Sequence, residues 1–312
     1  MSTDMSTDIE RLSEADACHD AEPLRGAALL RQIDATQLPA ERRPRLAFLL
    51  NHVLGEKLLA WPEALQRQQQ LIALAQPAPP LVLWRQLGSA ALVADAGAPL
   101  ALAADALVAG SGASAERVQE LLALSAAMYL MPSRPAGEAG VGALKALVPF
   151  DAIHWPTGSA LDAQAAACAN NLANDLLSRP EAELQNAPLR AALANGAEIA
   201  LRLWQAAGTW VQQERALYLR ALACTALGEP HGTRRHALAG LALLDAHDSA
   251  HEENVDRAFL ELERWNACQW LGMADEAHGA LTRAEVLAAQ FNDAGLTDWF
   301  EGRRRKLPSF RR

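Results

Sequence analysis

Ala223-Cys224-Thr225-Ala226-Leu227-Gly228 returns 44 residues later as Ala267-Cys268-Gln269-Trp270-Leu271-Gly272. Upstream of the two hexapeptides, Val211, Tyr218 and Ala221 correspond to Val255, Leu262 and Trp265 at the same offset. Positions spaced three and four apart fall on one stripe of an α-helix, so each copy predicts a helix with one buried face. A glycine closing such a stripe predicts a helix end, because glycine adopts the left-handed backbone that terminates helices. A second helix is expected within a few residues of each glycine.

Outward from this echo the same periodicity runs through most of the chain, with no convincing alternating strand. It predicts helices over about 23–36, 41–60, 62–75, 80–95, 99–110, 114–130, 138–147, 159–178, 188–206, 209–227, 231–246, 250–272, 274–292 and 295–306. Pro62, Pro188 and Pro230 suit the first turn of a helix, where the missing N–H costs nothing. Thr209 with Gln212, and Ser249 with Glu252, match the capping box that satisfies orphan N–H groups at a helix start. The sequence therefore divides into a polar, partly disordered segment over 1–22, helical repeats over 23–130, a Pro/Gly-rich joint over 131–160, repeats over 161–306 and a basic tail over 307–312. The joint holds Pro132, Pro135, Gly137, Gly140, Gly142, Pro149, Pro156 and Gly158, which predict an irregular connection or a projecting loop.

Gly272 followed by Ala277, Leu281 and Ala284 resembles the tetratricopeptide-repeat (TPR) family, in which a glycine turn precedes a small residue where the second helix packs closely. Leu87-Gly88, Trp61-Pro62-Glu63-Ala64-Leu65 and Asn170-Asn171-Leu172-Ala173 look like further fragments of that register, and Thr233 stands at the small position of the earlier copy. The resemblance is closest over the C-terminal half. It implies an all-α fold, a right-handed solenoid of antiparallel helix pairs whose concave surface receives another protein or a peptide. Polar residues on first helices would line that surface, and here they are Asn170, Asn174, Arg215, Arg257, Asn266 and Gln269.

Composition narrows the remaining possibilities. Half the chain is hydrophobic, with Ala and Leu dominant over β-branched and aromatic residues, which favours helix. Only three of the 28 basic residues are lysine (Lys57, Lys145, Lys306), the pattern of a GC-rich bacterial coding sequence. A net charge of −9 disfavours nucleic acid and anionic membrane as partners. The basic run Arg303-Arg304-Arg305-Lys306 suits a helix C-terminus, where the dipole favours positive charge. The polar N-terminus lacks an apolar export core, and no apolar run of spanning length is uninterrupted, so the expected location is the cytoplasm.

Motifs that carry chemistry are not expected to act here. His247-Asp248-Ser249-Ala250-His251 departs from the H-E-x-x-H zinc motif, and its capping residues put the two His on different sides of a helix start. Asp275-Glu276-Ala277-His278 has no phosphate-binding Gly-Lys to work beside. Asp-x-x-His recurs at Asp16–His19, Asp151–His154, Asp248–His251 and Asp275–His278, all near helix ends and read as surface polar pairs. Cys18, Cys168, Cys224 and Cys268 are too scattered for a disulfide or zinc framework, and the last two fall on the buried stripe. Glu253–Arg257 and Arg257–Glu261 have the spacing of pairs that brace an exposed helix, while Trp204, Trp210, Trp265 and Trp270 are read as fillers between helices. The expectation is a non-catalytic interaction scaffold with no catalytic residue, metal or cofactor. Its alternatives are a ligand-sensing regulatory module acting through a partner, and an all-α enzyme.

Overall fold

The computed structural model describes residues 3–75, 77–248 and 252–306. Among the described residues it holds fifteen α-helices and no strand. The chain divides into two compact units, Met1–Pro135 with Ser159–Ala165, and Ala136–Gly158 with Ala166–Arg312. No single helix among the described residues is long and apolar enough to cross a membrane; α6 and α7 reach that length only as a pair bent by 120°.

The first unit contains α1 (Thr3–Cys18), α2 (Pro23–Gln32), α3 (Arg43–Leu49), α4 (Trp61–Leu74), α5 (Leu81–Val93), α6 (Gly97–Ser111) and α7 (Ala115–Leu130). The polar start carries α1, which buries Leu12, Ala15 and Cys18 on one stripe. That i, i+3 spacing lies beyond the polar Met-Ser-Thr-Asp repeats and is masked by them. Ser114 accepts a hydrogen bond from the Arg117 N–H at 3.3 Å and opens α7, while Gly112 at φ +69° closes α6.

After Leu49 the helix widens into π winding over Leu50–Lys57, ending with Leu58 N–H donating to Val53 O at 3.1 Å, five residues back. This turn carries buried polar side chains. Asn51 Nδ2 donates to Gln86 O and Oε1 at 2.9 and 2.8 Å, Gln68 Nε2 donates to Asn51 Oδ1 at 2.9 Å, and the Tyr129 hydroxyl donates to Gln86 Oε1 at 2.7 Å. These bonds replace part of the hydration the amides lose, and the network ties α4, α5 and α7 to the π turn.

The second unit contains α8 (Ala136–Leu147), then α9 (Asp162–Leu177), within which the division falls. It continues with α10 (Ala187–Ala207), α11 (Trp210–Leu227), α12 (Pro230–His247), α13 (Asn254–Trp270), α14 (Ala274–Ala288) and α15 (Ala294–Lys306). The 44-residue echo is repeated in the backbone. Glu229 N–H donates to Cys224 O at 2.8 Å and Met273 N–H to Cys268 O at 2.9 Å. Gly228 N–H donates to Thr225 O, and Gly272 N–H to Gln269 O, with the glycines at φ +78° and +70°. These are two Schellman terminations, residue for residue. Thr209 N–H donates to Gln212 Oε1 at 2.8 Å in the expected capping box. Ser249 lies outside the described residues; before α13 it is Asp248 that accepts from the N–H groups of Glu252 and Glu253.

Consecutive helices run antiparallel. Trp210 at the start of α11 stacks on His247 at the end of α12 with ring centroids 5.7 Å apart, while Cys224 faces Gly232, where a Cβ would come within 2.7 Å of its Sγ. Alternate helices lie side by side and parallel. Arg215 of α11 meets Asp256 of α13, Tyr218 meets Phe259, and Phe259 in turn meets Phe300 of α15.

The Pro/Gly-rich stretch is more ordered than its composition predicts. Phe150 and Trp155 are fully buried with centroids 4.5 Å apart, and Arg202 of α10 donates to the Trp155 and Phe150 carbonyls at 2.9 and 2.6 Å. Gly140 lies inside α8, within the helix expected over 138–147, and α10 passes so close that only a glycine fits. A Cβ there would sit 2.4 Å from Leu189 N and 2.7 Å from Pro188 C. Alanine ordinarily stabilises a helix interior by about 1 kcal/mol over glycine. Here the obstruction is backbone, so Gly140→Ala should instead destabilise by about 1–3 kcal/mol, read as a lowered urea midpoint.

Candidate functional site

Arg257, Glu261 and Arg264 are spaced i, i+4 and i+7, so α13 presents them on one face. That face is the floor of an open groove of about 630 Å³, within the size range of ligand-binding clefts. Leu238, Leu241 and Ala242 of α12 form one wall, and Thr282, Val286 and Leu287 of α14 form the other. Val286 is 58% exposed, so apolar surface faces the opening.

The charges are held in place across the helices. Arg257 Nη1 donates to Asp245 Oδ1 at 2.5 Å, and Arg283 donates to both oxygens of the buried Glu261 at 2.6 and 3.1 Å. Arg264 lies 3.6 Å from Glu261 and 3.5 Å from Glu276. The hydrogen bond that Arg283 donates to Glu261 holds its guanidinium above its ordinary pKa, and the hydrogen bond from Arg234 keeps Glu276 below the usual carboxylate range. Three guanidiniums thus face two carboxylates along the lining, a local cationic excess on an acidic chain.

Of the six residues expected to line one surface, Arg257 alone lies in this groove. Arg215 is exposed on α11, outside the groove, and is bonded to Glu253 and Asp256 at 3.3 and 3.1 Å. Asn266 is corrected outright. It stands nine positions, half a revolution, beyond Arg257, is 2% exposed, and its Nδ2 has no hydrogen-bond partner. Gln269 is exposed at the far end of α13. Asn170 and Asn174 lie on α9, the first half-buried beside Asn171 and the second exposed. Asp245, Glu261, Arg264 and Arg283 were not anticipated as a set, because their meeting depends on how three helices pack.

Other expectations resolve similarly. Arg257 pairs with Asp245 on α12, while Glu253 pairs with Arg215 and Glu261 with Arg283 and, within α13, with Arg264. Trp270 is 38% exposed, whereas Trp204 and Trp265 pack against the cores of their neighbours. Burial pushes the Cys224 thiol up to about 11, leaving it protonated and a poor nucleophile. Among the tail cations, Arg303 binds Glu263, Arg304 lies 3.0 Å from Glu285, and Arg305 donates to Glu301 O. His251, Arg311 and Arg312 lie outside the described residues.

No protein-family model matches the chain, and no curated protein matches it significantly. The functional reading therefore rests on this geometry.

Proposed function

We propose that the chain is a tetratricopeptide-like helical-repeat scaffold, a right-handed solenoid in which the α12–α13–α14 groove receives a peptide or protein segment. The groove carries this reading: apolar walls supply burial and fixed guanidiniums supply direction. A preformed cleft loses little conformational freedom on binding, which favours affinity. The excess of arginine over carboxylate selects a segment with apolar residues on one side and acidic residues on the other. The repeated Schellman turns and the parallel run of alternate helices support the repeat architecture.

Ala242 and Val286 offer a clean test, because both are exposed wall positions whose replacement spares the core. Ala242→Glu with Val286→Glu should cut capture of a partner from native lysate at least about ten-fold, about 1.4 kcal/mol, with helicity unchanged. Asn174→Ala with Gln269→Ala, outside the groove, should leave capture intact. Equal capture by the groove variant and the wild type would sink this assignment.

A further inference from the structure

The Asp16–His19 pair, expected to be ordinary surface polarity, lies beside a second histidine 33 residues downstream. His19 Nε2 is 3.3 Å from Asp20 Oδ2, and His52 Nε2 is 3.2 Å from Asp20 Oδ1. One ligand atom from each of the three residues lies within 4.8 Å of the others.

Both rings are held by their other nitrogen. His52 Nδ1 is 2.8 Å from Glu56 Oε2, and His19 Nδ1 is hydrogen-bonded to the Asp16 carbonyl. A carboxylate and a carbonyl can only accept, so both Nδ1 atoms carry the hydrogen. In the neutral rings each Nε2 then presents a lone pair to Asp20, itself an acceptor. Three acceptors converging in this way require a cation among them: protons on the rings, the neighbouring Lys57 ammonium or a metal ion.

We propose that His19, Asp20 and His52 form a binding site for a divalent first-row metal ion, zinc foremost, with Glu56 and the Asp16 carbonyl orienting the two imidazoles. Zinc bonds of about 2.0–2.1 Å at tetrahedral angles separate neighbouring ligand atoms by about 3.3–3.4 Å. The two nitrogen–oxygen separations, each to a different oxygen of Asp20, lie within about 0.2 Å of this, and the three ligand atoms lie within 4.8 Å of one another. Imidazole nitrogen with one carboxylate is a borderline donor set suited to zinc. A carboxylate or carbonyl behind each ligating histidine is the arrangement that fixes tautomer and ring orientation.

The surroundings favour a pre-set site. Glu56 and His52 sit together on the buried π turn, Phe48 stacks on His52 with centroids 5.4 Å apart, and the two imidazoles meet edge to face at 5.1 Å. Asp20 is 69% exposed, which leaves an entry path and room for water at the remaining coordination position. Lys57 Nζ lies 3.2 Å from Asp20 Oδ1 and 3.6 Å from Glu56. It is the competing cation, and its flexible side chain must swing aside when metal binds.

The chelator-treated full chain, titrated calorimetrically with Zn²⁺, should bind one equivalent saturably. Titrated with Co²⁺, it should develop the visible absorption of a four-coordinate nitrogen/oxygen site. Asp20→Asn and His19→Gln, both outside the tight core, should each weaken zinc at least about ten-fold with circular dichroism unchanged. Absence of saturable binding, or equal affinity in the wild type and both variants, would overturn the site.

Discussion

Replacing Glu263 with alanine should lower the stability of the second unit by about 3–5 kcal/mol, the cost of stranding the partner of a buried ion pair. Glu263 is fully buried on α13. Arg303 of α15 donates to its Oε1 from Nε and Nη2 at 2.8 and 2.6 Å, and Thr225 of α11 donates to its Oε2 at 2.7 Å. Thr233 of α12 lies 3.2 Å further along, so one carboxylate links four helices. Burial opposes the Arg303 charge, but Glu263 and Tyr218 outweigh it and the guanidinium is held above its ordinary pKa. Without Glu263, Arg303 keeps its desolvation and loses its counter-charge. The α15 ring contacts with Phe259 should loosen with it, at Trp299 and Phe300. Urea unfolding should show an earlier transition for this unit alone, and limited proteolysis should cut within α15. A loss below about 1 kcal/mol, the range of surface pairs, would show that the ion pair contributes little. Glu263→Leu with Arg303→Leu should recover much of the loss, because the larger part is the stranded charge.

What could be read from sequence was what local chemistry encodes. Gly228 and Gly272 announce helix ends because the termination needs a positive φ, and Thr209 with Gln212 announces a start because the two residues satisfy each other. The π turn has no such signature. Asn51, Gln68 and Gln86 look like surface residues by type, and only partners 17 to 43 positions away make their burial tolerable. Gly140 sits inside a helix that the periodicity foresaw, but its packing role was not legible, because only the approach of Leu189 from α10 makes a side chain there impossible. The groove was legible at Arg257 and no further, since Asp245 and Arg283 join it from other helices. The family resemblance placed Asn266 on that surface as a polar residue of a first helix, but it lies half a turn away and is buried. His19 was dismissed as one of four similar pairs; what sets it apart is His52, which arrives through the tertiary fold.

Above about pH 8, Glu214→Gln should make the second unit more stable than the wild type. Glu214 is fully buried on α11, and neither carboxylate oxygen has a hydrogen-bond donor. Its pKa is raised from 4.5 to about 8, first by burial and then by Asp256, whose charge and hydrogen bonding both favour a proton on Glu214; Arg215 opposes this. Between about 4.5 and 8 the folded state therefore holds a proton that the unfolded chain has released. Stability from this group is complete below the lower value and is lost as pH rises through the higher one. Full ionisation would cost on the order of 3–5 kcal/mol, at about 1.4 kcal/mol per unit of pKa. Glutamine cannot ionise and keeps an N–H to offer Asp256. Urea midpoints should fall between about pH 5 and pH 9 in the wild type and stay flatter in the variant, so that the two curves cross. Parallel curves would place the proton elsewhere. A crossing would mean that the contact between α11 and α13 is held by a neutral carboxylic acid, so that alkaline conditions weaken the stack at the face where Arg215 meets Glu253 and Asp256.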